Sequence, residues 1–548
     1  LVGSEMCIRD RISSQDHLSV NAGELINQRG DILSRKGLSL QVSGNVENVG
    51  GTIASQAQDV SLKAADFDNR QGVIHAIAGN LTLLAGGAFN NAQGKVVSQG
   101  DVTLNTQSIN NHQGVISTSK GFNVNSQGEI NNRHGQIIAN TDSQIKSEAF
   151  HNQQGIVSSL EGSLSLEGRT QINNQAEGPT GSAISAAKSM IITTAALNNQ
   201  NTKGTTPETE KKPTQGILGD GIQLNAHALN NAHGGVYSSG ELNLGKVKQL
   251  SNRGGILYSA KKQQIEADEP SQPAVIDNQG GVIEAGGVSL RNVRFSGSRY
   301  GTIKAFDASE IEMDGDLTIT AQDKWYFSAL RLLVSGKFIN QGRFEADAGL
   351  TIKAKEIVNG LHTMLLTGVK GQLELNANNI RNQGLISGGY NVISATGTID
   401  NSGSLISGLL RLKAQKLVNG GLINSTESYI ESSQLENNGQ IVRSQGNDSG
   451  QTLIQIKADN IINRGEINAD FTHILSGTLR NIGSGTIVGK HTGISAQLLE
   501  NRPERLASGE MKLATIGATE RLDLGVKRLI NKDESVIFSL GDMALGGR

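Results

Sequence analysis

The sequence predicts an all-β chain, a parallel β-helix in which about two dozen turns of roughly 18–22 residues stack on one another. Three observations carry this. First, the anchor Asn-x-x-Gly-x-(Ile/Val) recurs at Asn27/Gly30, Asn48/Gly51, Asn69/Gly72, Asn91/Gly94, Asn111/Gly114, Asn132/Gly135 and Asn152/Gly155, in steps of 20 to 22 residues. Second, apolar and polar residues alternate in the short stretches between anchors, the period of a half-buried strand. Third, 68 glycines stand against 6 prolines, and aromatics make only 3% of the chain, which suits a narrow core of Val, Ile and Leu. A unit this short cannot bury its own apolar face, so its neighbours must cover it.

The 548-residue chain does not open on the repeat. Residues 1–12 read as a non-native or disordered lead-in. LVGSEMCIRDR resembles translated adaptor read-through, and it holds Cys7, the sole cysteine. A lone cysteine excludes a disulfide framework and a cysteine-based metal site. A first repeat type spans 13–290. In its turns Val102, Leu104, Ile109 and Ile116 are expected inside, with Phe122, Val124, Ile130 and Ile137 stacked in the same places one turn later. Thr103, Gln107 and Ser117 are expected outside, as part of a polar surface with few exposed apolar groups. The anchor asparagines should form a ladder, taking the left-handed bend themselves while the glycine relieves a tight corner. Breaking a rung that strands a buried amide should cost about 1–3 kcal/mol.

Two polar, proline-bearing stretches, 202–215 and 262–273, read as outward loops between a strand and the next anchor. Residues 291–339 blur the period and read as irregular transition turns. They contain the densest aromatic cluster, Trp325-Tyr326-Phe327. Trp325 and Tyr326 are the candidate binding residues, and a filled core is the competing reading. From 340 to 548 a second, shorter anchor takes over, Asn-x-Gly, at Asn340/Gly342, Asn382/Gly384, Asn401/Gly403, Asn419/Gly421 and Asn463/Gly465, with Asn359-Gly360 a degenerate member. The end of the chain reads as an interior cut.

Chemistry is sparse. Formal charge is -2, with no basic surface for nucleic acid and no apolar run long enough for a membrane span. Asp66 and Asp68 are the nearest approach to paired carboxylates. His112, His134, His151 and His233 sit near anchors without forming a three-ligand set. Gly483–Lys490 looks like a phosphate loop but departs from its spacing. Arg29-Gly30-Asp31 is an integrin-type tripeptide inside an ordinary anchor. Asn80, Asn424 and Asn447 open glycan-acceptor triplets. No catalytic, cofactor or metal site is expected.

The anchors INNHQGVIS, INNRHGQII and AFHNQQGIVS resemble the haemagglutinin repeats of filamentous haemagglutinin-like exoproteins, a family that includes contact-dependent growth inhibition proteins. IRNQGLISG and LVNGGLIN resemble a second variant of that repeat. The resemblance implies a right-handed β-helix, secreted or displayed on the outer surface of a Gram-negative bacterium through an outer-membrane two-partner secretion transporter. It implies a non-enzymatic stalk, with any host-cell or neighbouring-bacterium receptor met by segments outside these residues. Two alternatives stay open: a glycan- or protein-binding module using the Trp325 region and the loops, and a β-helical polysaccharide-degrading enzyme.

Overall fold

In the computed structural model, residues 10–178, 181–204, 214–297, 299–443, 451–505 and 509–547 are described. Residues 1–9, the body of the first predicted loop and the 444–450 stretch lie outside them. Among the described residues there is no helix. The strands pair in parallel to make about two dozen solenoid turns, apart from a small antiparallel pair, Glu504–Arg505 with Met511–Lys512. The chain divides into two compact units, Leu1–Thr302 and Ile303–Arg548.

A turn of the first unit consists of three short strands, for example Val102–Thr106, Ser108–Asn110 and Val115–Thr118. Each pairs in register with its counterpart one turn on: Leu104 with Val124, Ile109 with Ile130, Ile116 with Ile137. Like side chains therefore lie over like side chains, and the inward set is buried. Each buried aliphatic side chain contributes about 1.5–3 kcal/mol. Phe67 and Phe89 meet edge to face in this core, 5.9 Å between ring centres.

The corner between the second and third strands carries a side-chain ladder. Asn111 Nδ2 donates to Asn132 Oδ1 at 2.7 Å, and also reaches the carbonyls of Gly114 and Gln136, each at 3.2 Å. The same bond runs from Asn27 through Asn48, Asn69, Asn91, Asn111, Asn132, Asn152, Asn174, Asn199, Asn231 and Asn252 to Asn278. There the donated proton goes to the Tyr300 carbonyl instead.

The asparagine does not take the left-handed bend. That conformation falls two residues later, on Arg29, Gln71, Gln93, Gln113, His134, Gln154 and His233. The physical reason is that the asparagine is pinned inward by its amide, so the bend moves to a residue free to point outward.

The anchor glycines also need a correction, because the crowding they relieve is between turns as well as within one corner. A Cβ on Gly114 would sit within 3.0 Å of the Asn91 carbonyl, the Asn111 Oδ1 and the Asn91 amide nitrogen. The same clash meets Gly51 against the Asn27 carbonyl, Gly72 against that of Asn48, and Gly94 against that of Asn69. It recurs at Gly135 against the Asn111 carbonyl and at Gly155 against that of Asn132. None of Gly51, Gly72, Gly94, Gly114, Gly135 and Gly155 has a positive φ, so glycine is required here for space and not for backbone freedom. Gly30, beside the first rung, is held chiefly by its own Asn27 Oδ1.

In the second unit the ladder runs from Asn340 through Asn359, Asn382, Asn401, Asn419, Asn437, Asn463, Asn481 and Asn501 to Asn531. The shorter corner uses its glycine differently. A Cβ on Gly421 would collide with the Gly403 carbonyl, and one on Gly465 with that of Gly439. Glycine thus stacks on glycine, and none of Gly384, Gly403, Gly421 and Gly465 has a positive φ. Between these corners a single strand runs unbroken, as in Ser404–Asn419 and Leu422–Asn437.

Several predicted boundaries move. Arg11–Ser14 is already a strand paired with Asp31–Ser34, so the solenoid is under way before residue 13. Thr202 is buried and donates its hydroxyl to the Asn199 carbonyl at 2.9 Å, so it belongs to the corner and not to a loop. The polar run at Lys262 continues the strand Ile256–Ala267, and the excursion is confined to 268–273. Residues 291–339 hold paired strands, with Leu317–Thr320 on Lys337–Gln341 and Lys324–Val334 on Arg343–Lys353. The division between units falls inside that stretch.

Continuing that strand puts Gln263 in an apolar column between Leu242 and Val288. It is fully buried, and neither amide atom has a hydrogen-bond partner among the described residues. In the second unit, Asp470 is buried under two cations, Arg443 at 2.9 Å and Lys490 at 3.2 Å. It also accepts the Thr452 N–H at 3.1 Å and hydroxyl at 2.9 Å. Burial alone would raise its carboxyl pKa. The Thr452 hydrogen bonds and Lys490 outweigh that and hold it below the ordinary 3.8.

Three outcomes are expected. Gly114→Ala should destabilise the adjoining turns by about 1–3 kcal/mol, seen as faster amide exchange in residues 91–139. Gln263→Leu should stabilise its turn by about 1–2 kcal/mol, because it removes two unsatisfied polar atoms at nearly constant volume; faster exchange around Gln263 would contradict this. Asp470 ionises more easily folded than unfolded, so its contribution is complete above the unfolded value and is lost as pH falls through the depressed folded one. Amides in 451–491 should therefore lose protection below about pH 4, and Asp470→Asn should lack that step.

Candidate functional site

The residues with chemical potential are mostly engaged in holding turns together. Asp66 accepts the Ala88 N–H at 2.7 Å, and Asp68 is ion-paired with Arg70 at 2.7 Å, so the two carboxylates share no task. His112 and His134 meet edge to face on successive corners, 5.8 Å between centres. His151 lies 3.6 Å from Glu129, yet its pKa is lowered, first by burial and then by Arg133, so it stands neutral at pH 7. Among the described residues no group of three or more His, Cys, Asp or Glu is placed to hold a metal ion.

The phosphate-loop look-alike is a repeat corner. Gly485 packs against the Asn463 carbonyl and Asn481 Oδ1, a strand follows at Thr486–Arg502, and Lys490 is committed to Asp470. A phosphate cradle needs backbone N–H groups opening a helix, and none follows here. In the Arg29-Gly30-Asp31 tripeptide, Arg29 occupies the left-handed corner position with its side chain exposed, and Gly30 is buried.

The two candidate binding residues part company. Trp325 is buried inside the second unit, 6.2 Å from Phe327 and 5.9 Å from Phe344 between ring centres. Tyr326, the next residue along the strand, points out and is half exposed. Strand alternation forces this split. The indole fills the core where Phe338 and Phe344 also meet, so the surface contribution of this cluster is Tyr326 alone.

The outward faces are not uniformly polar. On the strand before the asparagine corner, the outward column reads Asp68, Asn90, Asn110, Asn131, His151. On the strand after it, the columns include Val73, Val97, Val115, Ile138 and Ile156, and continue through Leu218, Tyr237 and Tyr258. The expectation of few exposed apolar groups therefore fails on one face. Up to Ile156 polar residues separate them, Lys95 and Gln136 in one column and Ser117 in the other, whereas Leu218, Tyr237 and Tyr258 lie directly on one another. A groove of about 840 Å³ lies on this face of the first unit, between Leu160 and Glu284. The asparagine anchors give no sign of it, because its residues sit at irregular sequence intervals.

Comparison with known proteins agrees with this geometry. The haemagglutinin repeat family profile matches residues 10–56, 38–105, 76–206, 217–269 and 274–324, together more than half of the chain. A tRNA nuclease CdiA from Yersinia mollaretii is 28% identical over 254 residues, covering 39% of this chain and 8% of that protein. A deoxyribonuclease CdiA from Dickeya dadantii is 30% identical over 125 residues, covering 23% of this chain and 4% of that protein. The chain thus spans less than a tenth of the length of either relative. No solved structure matches. A stacked β-solenoid whose corners are set by asparagine and glycine, matched along most of its repeats, belongs to the haemagglutinin repeat family.

Proposed function

We propose that this chain is a non-enzymatic segment of the β-helical shaft of a large exported adhesin or contact-dependent toxin-delivery protein. It passes an outer-membrane two-partner secretion transporter and stands on, or is released from, the surface of a Gram-negative cell. Any toxin, and recognition of the receptor that goes with its delivery, belong to segments outside residues 1–548. The observation that carries this reading is the repeat-family match along a chain whose buried corner asparagines are spent on stacking. The similarity to two CdiA proteins, over a small part of each, supports it. The nuclease activity in the relatives' names is theirs, and this reading assigns it to other parts of such proteins.

The physics of a solenoid suits the role. Each turn contacts only its neighbours, so reach is extended by adding turns without redesigning a core. A chain with one cysteine also passes a pore without disulfides to undo.

The test uses a full-length exoprotein carrying this segment together with its transporter. Excising residues 91–151 removes whole turns and rejoins Asn90 to the next anchor, Asn152. Export and the folded state should survive the excision. The purified chain should leave tRNA, duplex DNA and pectate intact. Turnover of any of these by the purified chain, or full export without the transporter, would overturn the reading.

A further inference from the structure

The groove on the apolar face of the first unit is built around two aromatic rings. Tyr237 and Tyr258 are paired in register on adjacent turns, about 4.8 Å apart along the stack. A Cβ on Gly235 would collide with the Tyr237 ring carbons, so the ring lies over that glycine. Its hydroxyl reaches the Lys203 carbonyl at 3.3 Å, which fixes it there. Tyr258 is 37% exposed. Leu160 and Leu218 continue the apolar floor, and small residues between them, such as Ser185 and Ala186, give the groove its depth.

The volume, about 840 Å³, falls within the range of small-ligand sites, and the mix of apolar floor and few polar groups is theirs too. Asp220 gives the lining a carboxylate, which receives the Ser239 hydroxyl at 2.8 Å, and no lysine or arginine among the described residues lines it. The strands beneath are paired on both sides, so no free backbone edge is offered to an incoming peptide strand. What remains is ring faces, serine hydroxyls and carboxylate.

We infer that this groove binds an oligosaccharide that is neutral or carries amino groups, its sugar rings stacked on Tyr237 and Tyr258. A sugar presents C–H groups on its faces and hydroxyls at its edges. The faces lie on the tyrosine rings, and the edges reach the serines and Asp220. The Asp220 carboxylate selects against sulfated or carboxylated chains and favours protonated amines. The inference stands apart from the shaft reading, because binding is read on the purified chain and export is read in cells.

The experiment applies the purified 548-residue chain to an array of neutral, amine-bearing and sulfated glycans, followed by titration of the best binder. Oligomers of N-acetylglucosamine, their de-N-acetylated forms and heparin oligosaccharides are included as named probes. Neutral or amine-bearing glycans should bind and heparin should not. Tyr258→Ala should weaken binding by about tenfold or more, while Tyr258→Phe retains it. Asp220→Asn should weaken the amine-bearing oligomer and spare the neutral one. Unchanged thermal unfolding of Tyr258→Ala separates lost contact from lost fold. The inference is overturned if no glycan of the first two classes binds, if heparin is preferred, or if binding survives Tyr258→Ala. It is equally overturned if sedimentation shows a dimer that Tyr258→Ala dissolves, since the face would then be a self-association surface.

Discussion

One side-chain bond sets the terms for the fold: the asparagine amide that donates to the asparagine of the next turn. The corner it occupies is buried, so its polar groups cannot rely on water and must find partners inside. Asn111 meets that demand by sharing its amide protons between Asn132 and two carbonyls, while its oxygen receives the amide of Asn91. A rung is complete only when the next turn repeats the same geometry. The glycine completes the constraint, since any side chain there would occupy the space of the preceding rung, as at Gly94, Gly114 and Gly135.

The two corner forms solve the same problem at different lengths. The longer one closes with a left-handed residue such as Gln113 or His134, set between the strands Ser108–Asn110 and Val115–Thr118 in the first case. The shorter one dispenses with that residue and stacks glycine on glycine, and a strand such as Ser404–Asn419 spans the whole stretch from one such corner to the next. In both, the inward pattern is fixed and the outward one is free. That freedom is where differences between turns accumulate: the Asp470 clip in the second unit, and the tyrosine-lined groove in the first.

The architecture is readable in the sequence because the inward pattern repeats. Val102, Leu104, Ile109 and Ile116 announce their places by alternation, and Asn-x-x-Gly announces the corner. What cannot be read depends on outward or local geometry. The sequence does not say which corner residue turns left-handed, because glutamine, arginine and histidine all serve once the side chain points to solvent. Nor does it say that the anchor glycine is crowded by the turn before it, a contact that exists only once the turns are stacked. Lys262–Ala267 reads as a loop because polarity signals exposure, yet Gln263 is buried in its column. Trp325 draws notice as a rare aromatic, but one position of strand alternation separates it from the exposed Tyr326. Asn437-Asn438-Gly439 fits the shorter anchor and is a full rung, reached by 18 residues from Asn419. Asn531 carries no glycine behind it and is recognisable only from its bond to Asn501. Leu218, Tyr237 and Tyr258 follow one another at ordinary repeat steps, but they are outward positions on which the anchor pattern places no demand, so it does not announce their groove.

The most direct measurement is a double-mutant cycle between rungs, read by amide exchange within the affected turns, since a long array does not unfold as one two-state unit. Asn111→Ala combined with Asn132→Ala should show a coupling of about 0.5–3 kcal/mol. Asn111→Ala combined with Asn199→Ala, several rungs away, should be additive. Additivity for the adjacent pair as well would mean that the amide ladder does not join one turn to the next.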